Sequence, residues 1–120
     1  MYRNPRGFIR FSSEKKLHHA LADALPPLQR FQAEYEFAPG CVVDFFGFYE
    51  GKPVLVEVKN WFVRIRDMQQ LMKYYVHAVE KYGFDGFRLI VIAGGIEAPR
   101  RRILELLGIE VVLTREIFGR

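Results

Sequence analysis

Val42-Val43-Asp44-Phe45-Phe46-Gly47-Phe48-Tyr49-Glu50-Gly51-Lys52-Pro53-Val54-Leu55-Val56-Glu57-Val58-Lys59 is the stretch on which the reading of this chain turns. Two apolar runs flank a Gly/Pro turn, which predicts a pair of strands. Strand side chains repeat every two residues, so Val54, Val56 and Val58 point one way and Leu55, Glu57 and Lys59 the other. Charge at the end of a hydrophobic strand is costly unless it is paired or used. Asp44 interrupts the first strand in the same manner. Two carboxylates brought together repel, and a divalent cation between them keeps both ionised. Mg²⁺ prefers such hard oxygen ligands, keeps several waters and completes its shell with phosphate. Lys59 can then hydrogen-bond a water and position or deprotonate it. Those are the parts of a phosphodiester-hydrolysing centre. The same residues also suit an edge hairpin with a surface Glu57–Lys59 pair and Asp44 in a turn.

Outside this stretch, composition sets the bounds. The chain has 120 residues, half of them hydrophobic, enough for one compact domain with a real core. No apolar run reaches the ~18 residues of a membrane span. The first residues, Met1-Tyr2-Arg3-Asn4-Pro5-Arg6-Gly7, lack the apolar centre of a signal peptide, which predicts a cytoplasmic protein. A single cysteine, Cys41, excludes an internal disulfide and a cysteine-rich zinc site. A net charge of +4 is compatible with a polyanionic partner without requiring one.

Residues 1–11 form an arm in which Arg3, Arg6 and Arg10 alternate with aromatics; it suits nucleic acid, a dimer contact or a frayed end. Ser12 or Ser13 caps a first helix that Pro26-Pro27 stops. Glu14 lies near its inward stripe, where it could reach a metal site or simply favour the helix dipole. His18 and His19 are adjacent and cannot chelate one metal from a helix.

Phe31, Ala33, Tyr35 and Phe37 predict a half-buried strand, with Glu34 facing solvent or serving as a further acid near the site. Asn60 to Arg66 reads as a loop. A helix from about Asp67, as cap, to Tyr82 follows, with Met68, Leu71, Met72, Tyr75, Val76 and Val79 inward. Gln70 and Tyr74, at i and i+4, share a face apart from that stripe. A buried strand over Phe87–Ala93, a short helix opened by Pro99 and a last strand over Ile109–Leu113 complete the chain. Arg100-Arg101-Arg102 reads as a solvated helix start, and Gly94-Gly95 is too short for a phosphate-binding fingerprint. The order αβββαβαβ predicts an α/β fold whose mixed sheet is antiparallel first and parallel later, with helices on both faces.

Asp44…Glu57-Val58-Lys59 followed by Gln70-Leu71-Met72-Lys73-Tyr74 resembles the PD-(D/E)XK nuclease superfamily. It is most similar to the nuclease domain of the NucS-type mismatch endonucleases, and RecB-like nucleases share a Gln-x-x-x-Tyr element. Val43 stands at the usual proline position. The resemblance covers roughly residues 12–113 and leaves the separate N-terminal DNA-binding and dimerisation domain of NucS-type proteins unmatched. It implies a restriction-endonuclease-like core over residues 12–120, Asp44 and Glu57 as metal ligands, and Lys59 as the water-positioning base. Gln70 and Tyr74 would organise the site or contact DNA, and Glu14 falls where the superfamily often has a first-helix acid.

The expectation is therefore a DNA endonuclease of DNA repair that depends on Mg²⁺ or Mn²⁺. Arg64, Arg66 and Lys73 are its expected DNA contacts, and a C₂ homodimer would present two sites. A larger nuclease or repair partner is a further expected association. A Holliday-junction resolvase and a catalytically silent nucleic-acid-binding or assembly subunit on the same fold are the rival readings.

Overall fold

The computed structural model describes residues 27–118 and the short strands Tyr2–Arg3 (β1) and Ile9–Arg10 (β2), without the side chains of residues 2, 3, 9, 10, 60, 61, 117 and 118. The helix expected after Ser12, with Glu14, lies outside the described residues. β1 and β2 pair antiparallel within the expected arm.

The main sheet contains β3 (Gln29–Ala38), β4 (Cys41–Tyr49), β5 (Lys52–Phe62), β6 (Arg88–Gly95) and β7 (Glu110–Leu113) in sequence order across the sheet. β3–β4–β5 are antiparallel and β5–β6–β7 parallel, so the mixed sheet is as the element order predicts. Helix α1 (Ile65–Tyr82) makes the crossover from β5 to β6, and α2 (Ala98–Leu106) that from β6 to β7. A terminal helix, α3 (Thr114–Phe118), extends beyond the last expected strand. Among the described residues no helix is long and apolar enough to cross a membrane.

Tyr49 pairs with Lys52 around Glu50 and Gly51, whose φ values of 52° and 81° form the turn that matches the twist of a two-residue hairpin. The turn is thus tighter than the expected Glu50–Pro53, and Pro53 already lies in β5 opposite Phe48.

Leu55, Leu89, Val91 and Val111 bury one face of the sheet beneath Leu71, Tyr74 and Ala78 of α1 and Leu104 of α2. Val54, Val56, Ile90 and Ile92 fill the opposite face, so the alternation read along β5 is realised and β6 is buried on both faces, as its apolar run predicts. β3 departs from simple alternation. Phe31 and Ala33 pack on the Val56 face, whereas Tyr35 and Phe37 pack on the helix-covered face. Glu34 lies between them with φ +49°, and the pleat reverses there. β4 reverses at the same level, with Val43 on one face and Phe45 on the other. Asp44 occupies the break.

Two expectations for α1 are corrected. The helix begins at Ile65, and β5 continues to Phe62, leaving only Val63 and Arg64 between them in place of a loop over Asn60–Arg66. Asp67 is then the third helical residue, accepting from the Arg64 N–H at 2.9 Å, and is not the cap itself. The inward stripe is also rotated: Tyr74 is 5% exposed, while Val76 is 53% exposed. Tyrosine fits the core here because its ring meets Phe37 edge-on and its hydroxyl leaves the apolar layer.

Candidate active site

The β4–β5 register ends at Phe45↔Val56, and one residue further the two carboxylates stand where ladder bonds would otherwise run. Asp44 Oδ2 accepts from the Val58 N–H at 2.7 Å, and Glu57 Oε1 accepts from the Asp44 N–H at 3.3 Å. Each acid thereby satisfies a main-chain donor freed by the diverging strands. The local break in pleat and the placement of the acids are one feature of the fold.

Lys59 follows two residues after Glu57 on the same face. Its Nζ lies 3.3 Å from Glu57 Oε2, donates to Gln70 Oε1, and lies 3.8 Å from Asp67 Oδ1. Three acceptors about one nitrogen suit the three N–H donors of an ammonium. Gln70 Nε2 donates to the Tyr74 hydroxyl at 3.3 Å, and that hydroxyl donates to the Val42 carbonyl at 2.9 Å. A continuous chain of polar contacts therefore runs from Glu57 through Lys59, Gln70 and Tyr74 back to β4. The fold brings Asp44, Glu57, Lys59, Gln70 and Tyr74 together.

The electrostatics are those of a crowded anionic pair. Glu57 is 5% exposed, and burial, then the charge of Asp44, push its carboxyl up to about 7. Asp44 is also raised, by burial against the opposing pull of the Val58 N–H and Lys59. Burial and the charge of Glu57 raise Tyr74. A divalent cation would relieve this repulsion directly. Two carboxylates also match Mg²⁺, which takes one or two from protein and keeps water in its remaining positions. No third histidine, cysteine or acid joins them in a metal-binding cluster among the described residues.

Sequence reasoning missed Asp67 as a neighbour of Lys59. The signal was present: Asp67 and Gln70 are three apart on one helix and face the same way, but the capping pattern absorbed the aspartate. Glu34 is exposed and stands opposite Asp44 across β3–β4, where its charge adds to the upward push on that carboxyl. Arg64 and Arg66 are exposed at the start of α1, and neither makes an ion pair among the described residues. Lys73 is exposed farther along α1, its Nζ beside Gly40 in the β3–β4 turn. Arg100 and Arg101 are not the solvated cluster expected. Arg100 donates to the Val63 carbonyl at 2.8 Å, and Arg101 bonds Glu105 and the Val111 carbonyl.

No protein-family model and no curated protein matches the sequence. Among solved structures the chain resembles a repair endonuclease from Pyrococcus abyssi with a TM-score of 0.66 and 21% identity, over 88% of this chain and 48% of that one. A complex of EndoMS with dsDNA gives 0.66 and 22%, over 93% of this chain and 48% of the other. EndoMS in its apo form gives 0.57 and 24%, over 88% and 47%. The chain spans about half the length of these proteins. It shares the α/β fold of these structures, a five-stranded mixed sheet whose parallel strands are joined by helices.

Proposed function

We propose that this chain is a metal-dependent DNA endonuclease that hydrolyses phosphodiester bonds at Asp44, Glu57 and Lys59. One observation carries the reading: two mutually repelling, largely buried carboxylates meet at the β4–β5 break beside a lysine held by α1. Asp44 and Glu57 would hold Mg²⁺ or Mn²⁺. The cation, when bound, supplies Lewis-acid stabilisation of charge on the phosphate. Lys59, with three N–H donors, orients the attacking water or a phosphate oxygen, and Gln70 and Asp67 fix where its ammonium points. Tyr74 holds Gln70 and ties α1 to β4, so the helix and the split strands keep one spacing. A C₂ dimer would offer two such sites to the two strands of a duplex.

The test is incubation with branched, mismatched, single-stranded and fully paired DNA, with and without Mg²⁺ or Mn²⁺. Cation-dependent scission of at least one substrate is expected. Intact DNA throughout would favour a silent binding subunit.

Gln70 and Tyr74 act through Lys59 and the backbone. Gln70→Ala or Tyr74→Phe is therefore expected to cost on the order of 10–100-fold in activity or metal affinity. Kinetics at saturating Mg²⁺ check it, and parental rates for both would reduce the site to Asp44, Glu57 and Lys59.

Arg64 and Arg66 are the proposed phosphate contacts nearest the site. Replacing both with alanine is expected to weaken all DNA ligands together and to lower the salt slope of binding by roughly 2. An unchanged slope would move the interface toward Lys73 and Arg102, since Arg100 and Arg101 are already engaged.

A further inference from the structure

Lys59 is shared between two acids with different surroundings. Its Nζ lies 3.3 Å from Glu57 Oε2 and 3.8 Å from Asp67 Oδ1, and it donates to Gln70 Oε1. Among the described residues no other cation is ion-paired with either carboxylate. Glu57 belongs with Asp44 to the proposed cation site. Asp67 does not, since no third acid joins those two in a metal-binding cluster among the described residues. Asp67 is also fixed independently of Lys59. Its Oδ2 accepts from the Arg64 N–H at 2.9 Å, leaving Oδ1 to the lysine, and a helix N-terminus favours negative charge there.

The backbone holds this turn in place. β5 gains one residue past Lys59: Lys59 pairs with Ala93 and Phe62 with Gly95, three steps along β5 against two along β6. Only Val63 and Arg64 then separate β5 from α1. Val63, 1% exposed, donates its N–H to the Gly95 carbonyl at 2.9 Å and accepts from Arg100 at 2.8 Å. The first turn of α1 is thereby anchored to β6 and α2, and Asp67 with it.

We infer that Asp67 is a positioning residue that receives Lys59 when a divalent cation occupies Asp44 and Glu57. The inference rests on the nuclease reading above and concerns how that site makes room for its cation. In the cation-free protein the Lys59 ammonium supplies the positive charge beside Glu57. The Lys59 and Glu57 side chains are only 16% and 7% exposed, so charges act on one another there with little screening. With a divalent cation on the two carboxylates, Glu57 no longer neutralises the ammonium, and the two positive charges repel. Gln70 accepts a hydrogen bond from the ammonium but carries no charge. Asp67 supplies the negative charge that Gln70 lacks. Lys59 can thus leave Glu57 without leaving the site, where it orients water or phosphate.

The experiment is a double-mutant cycle on Mn²⁺ affinity without DNA, read from the electron paramagnetic resonance signal of free Mn²⁺. The proteins are the parent, Asp67→Asn, Lys59→Met and the double variant, with Glu57→Gln as the control for the site. Asparagine keeps an oxygen for the Arg64 N–H, and thermal unfolding in EDTA checks the fold. Asp67→Gln, a residue type suited to this helix position, takes its place if Asp67→Asn is unstable. Loss of the Asp67 charge is expected to weaken Mn²⁺ binding about tenfold in the parent and less than about twofold beside Lys59→Met. Lys59→Met alone should bind Mn²⁺ more tightly than the parent, because the internal competitor is gone. At saturating Mn²⁺, kcat for DNA cleavage by Asp67→Asn should fall about tenfold with KM within about twofold. Equal losses of affinity in the two backgrounds, weaker binding by Lys59→Met, or parental affinity and kcat in Asp67→Asn each overturn the inference and leave the nuclease reading standing. If the parent binds no Mn²⁺, or Glu57→Gln binds it as the parent does, both fall.

Discussion

With Asp44 or Glu57 replaced by alanine, cation-dependent cleavage is expected to drop by on the order of 10³-fold or more, to the background of the assay. The fold should survive, because Asp44 contributes one main-chain hydrogen bond and Glu57 one such bond and an ion pair with Lys59, while removal of either relieves desolvation and repulsion. Asp44→Asn and Glu57→Gln sharpen the comparison. Each keeps an oxygen able to accept the same main-chain N–H and removes only the charge, so a loss of rate in both assigns the effect to the carboxylate. Circular dichroism and a denaturation curve on the same samples check the fold. Cutting at the parental rate by either alanine variant would remove these residues from the chemistry.

A second large effect is a dependence of stability on pH in the cation-free protein. The ordinary value for the Glu57 carboxyl is 4.5, and in the fold it stands at about 7. Between these two values the unfolded chain has released a proton that the folded chain retains. Unfolding free energy therefore falls as pH rises through that window, and the contribution is lost above it. Asp44 is shifted in the same direction and adds to the slope. For Glu57 the loss is on the order of 2–3 kcal/mol. Chemical denaturation in EDTA at pH 5 and pH 8 should show the parent losing that much more than Glu57→Gln. Parallel losses in the two proteins would mean that Glu57 is not held in an anionic, poorly solvated place.

Much of this arrangement could be read from residue pattern because it depends on short-range rules. Alternation fixed the faces of β5, the apolar run of β6 marked a strand buried on both sides, and Asp44…Glu57-Val58-Lys59 located the acids and the lysine. Features governed by tertiary context were hidden. Nothing in Phe31–Phe37 announces that Glu34 takes a positive φ and turns the strand over, since glutamate has no preference for that conformation. Asp67 satisfies both a cap and a third helical position, and only the continuation of β5 to Phe62 decides between them. Helical spacing puts Tyr74 with Gln70 on a face apart from the inward stripe; the structure buries the ring and gives the hydroxyl to Val42. The single-residue insertion after Lys59 is invisible without β6 beside it.

The central claim, that Asp44 and Glu57 together hold a divalent cation, is tested most directly by thermal unfolding at pH 8 with and without Mg²⁺ or Mn²⁺. That pH lies above the value of about 7 to which the Glu57 carboxyl is pushed, so Glu57 is largely ionised, and a cation at about ten times its dissociation constant stabilises the folded state by about 1.4 kcal/mol. For a domain of this size that is a rise in Tm of about 5 °C. The account predicts this rise for the parent and none for Asp44→Asn or Glu57→Gln. The same rise in all three proteins, or no rise in the parent, would contradict it.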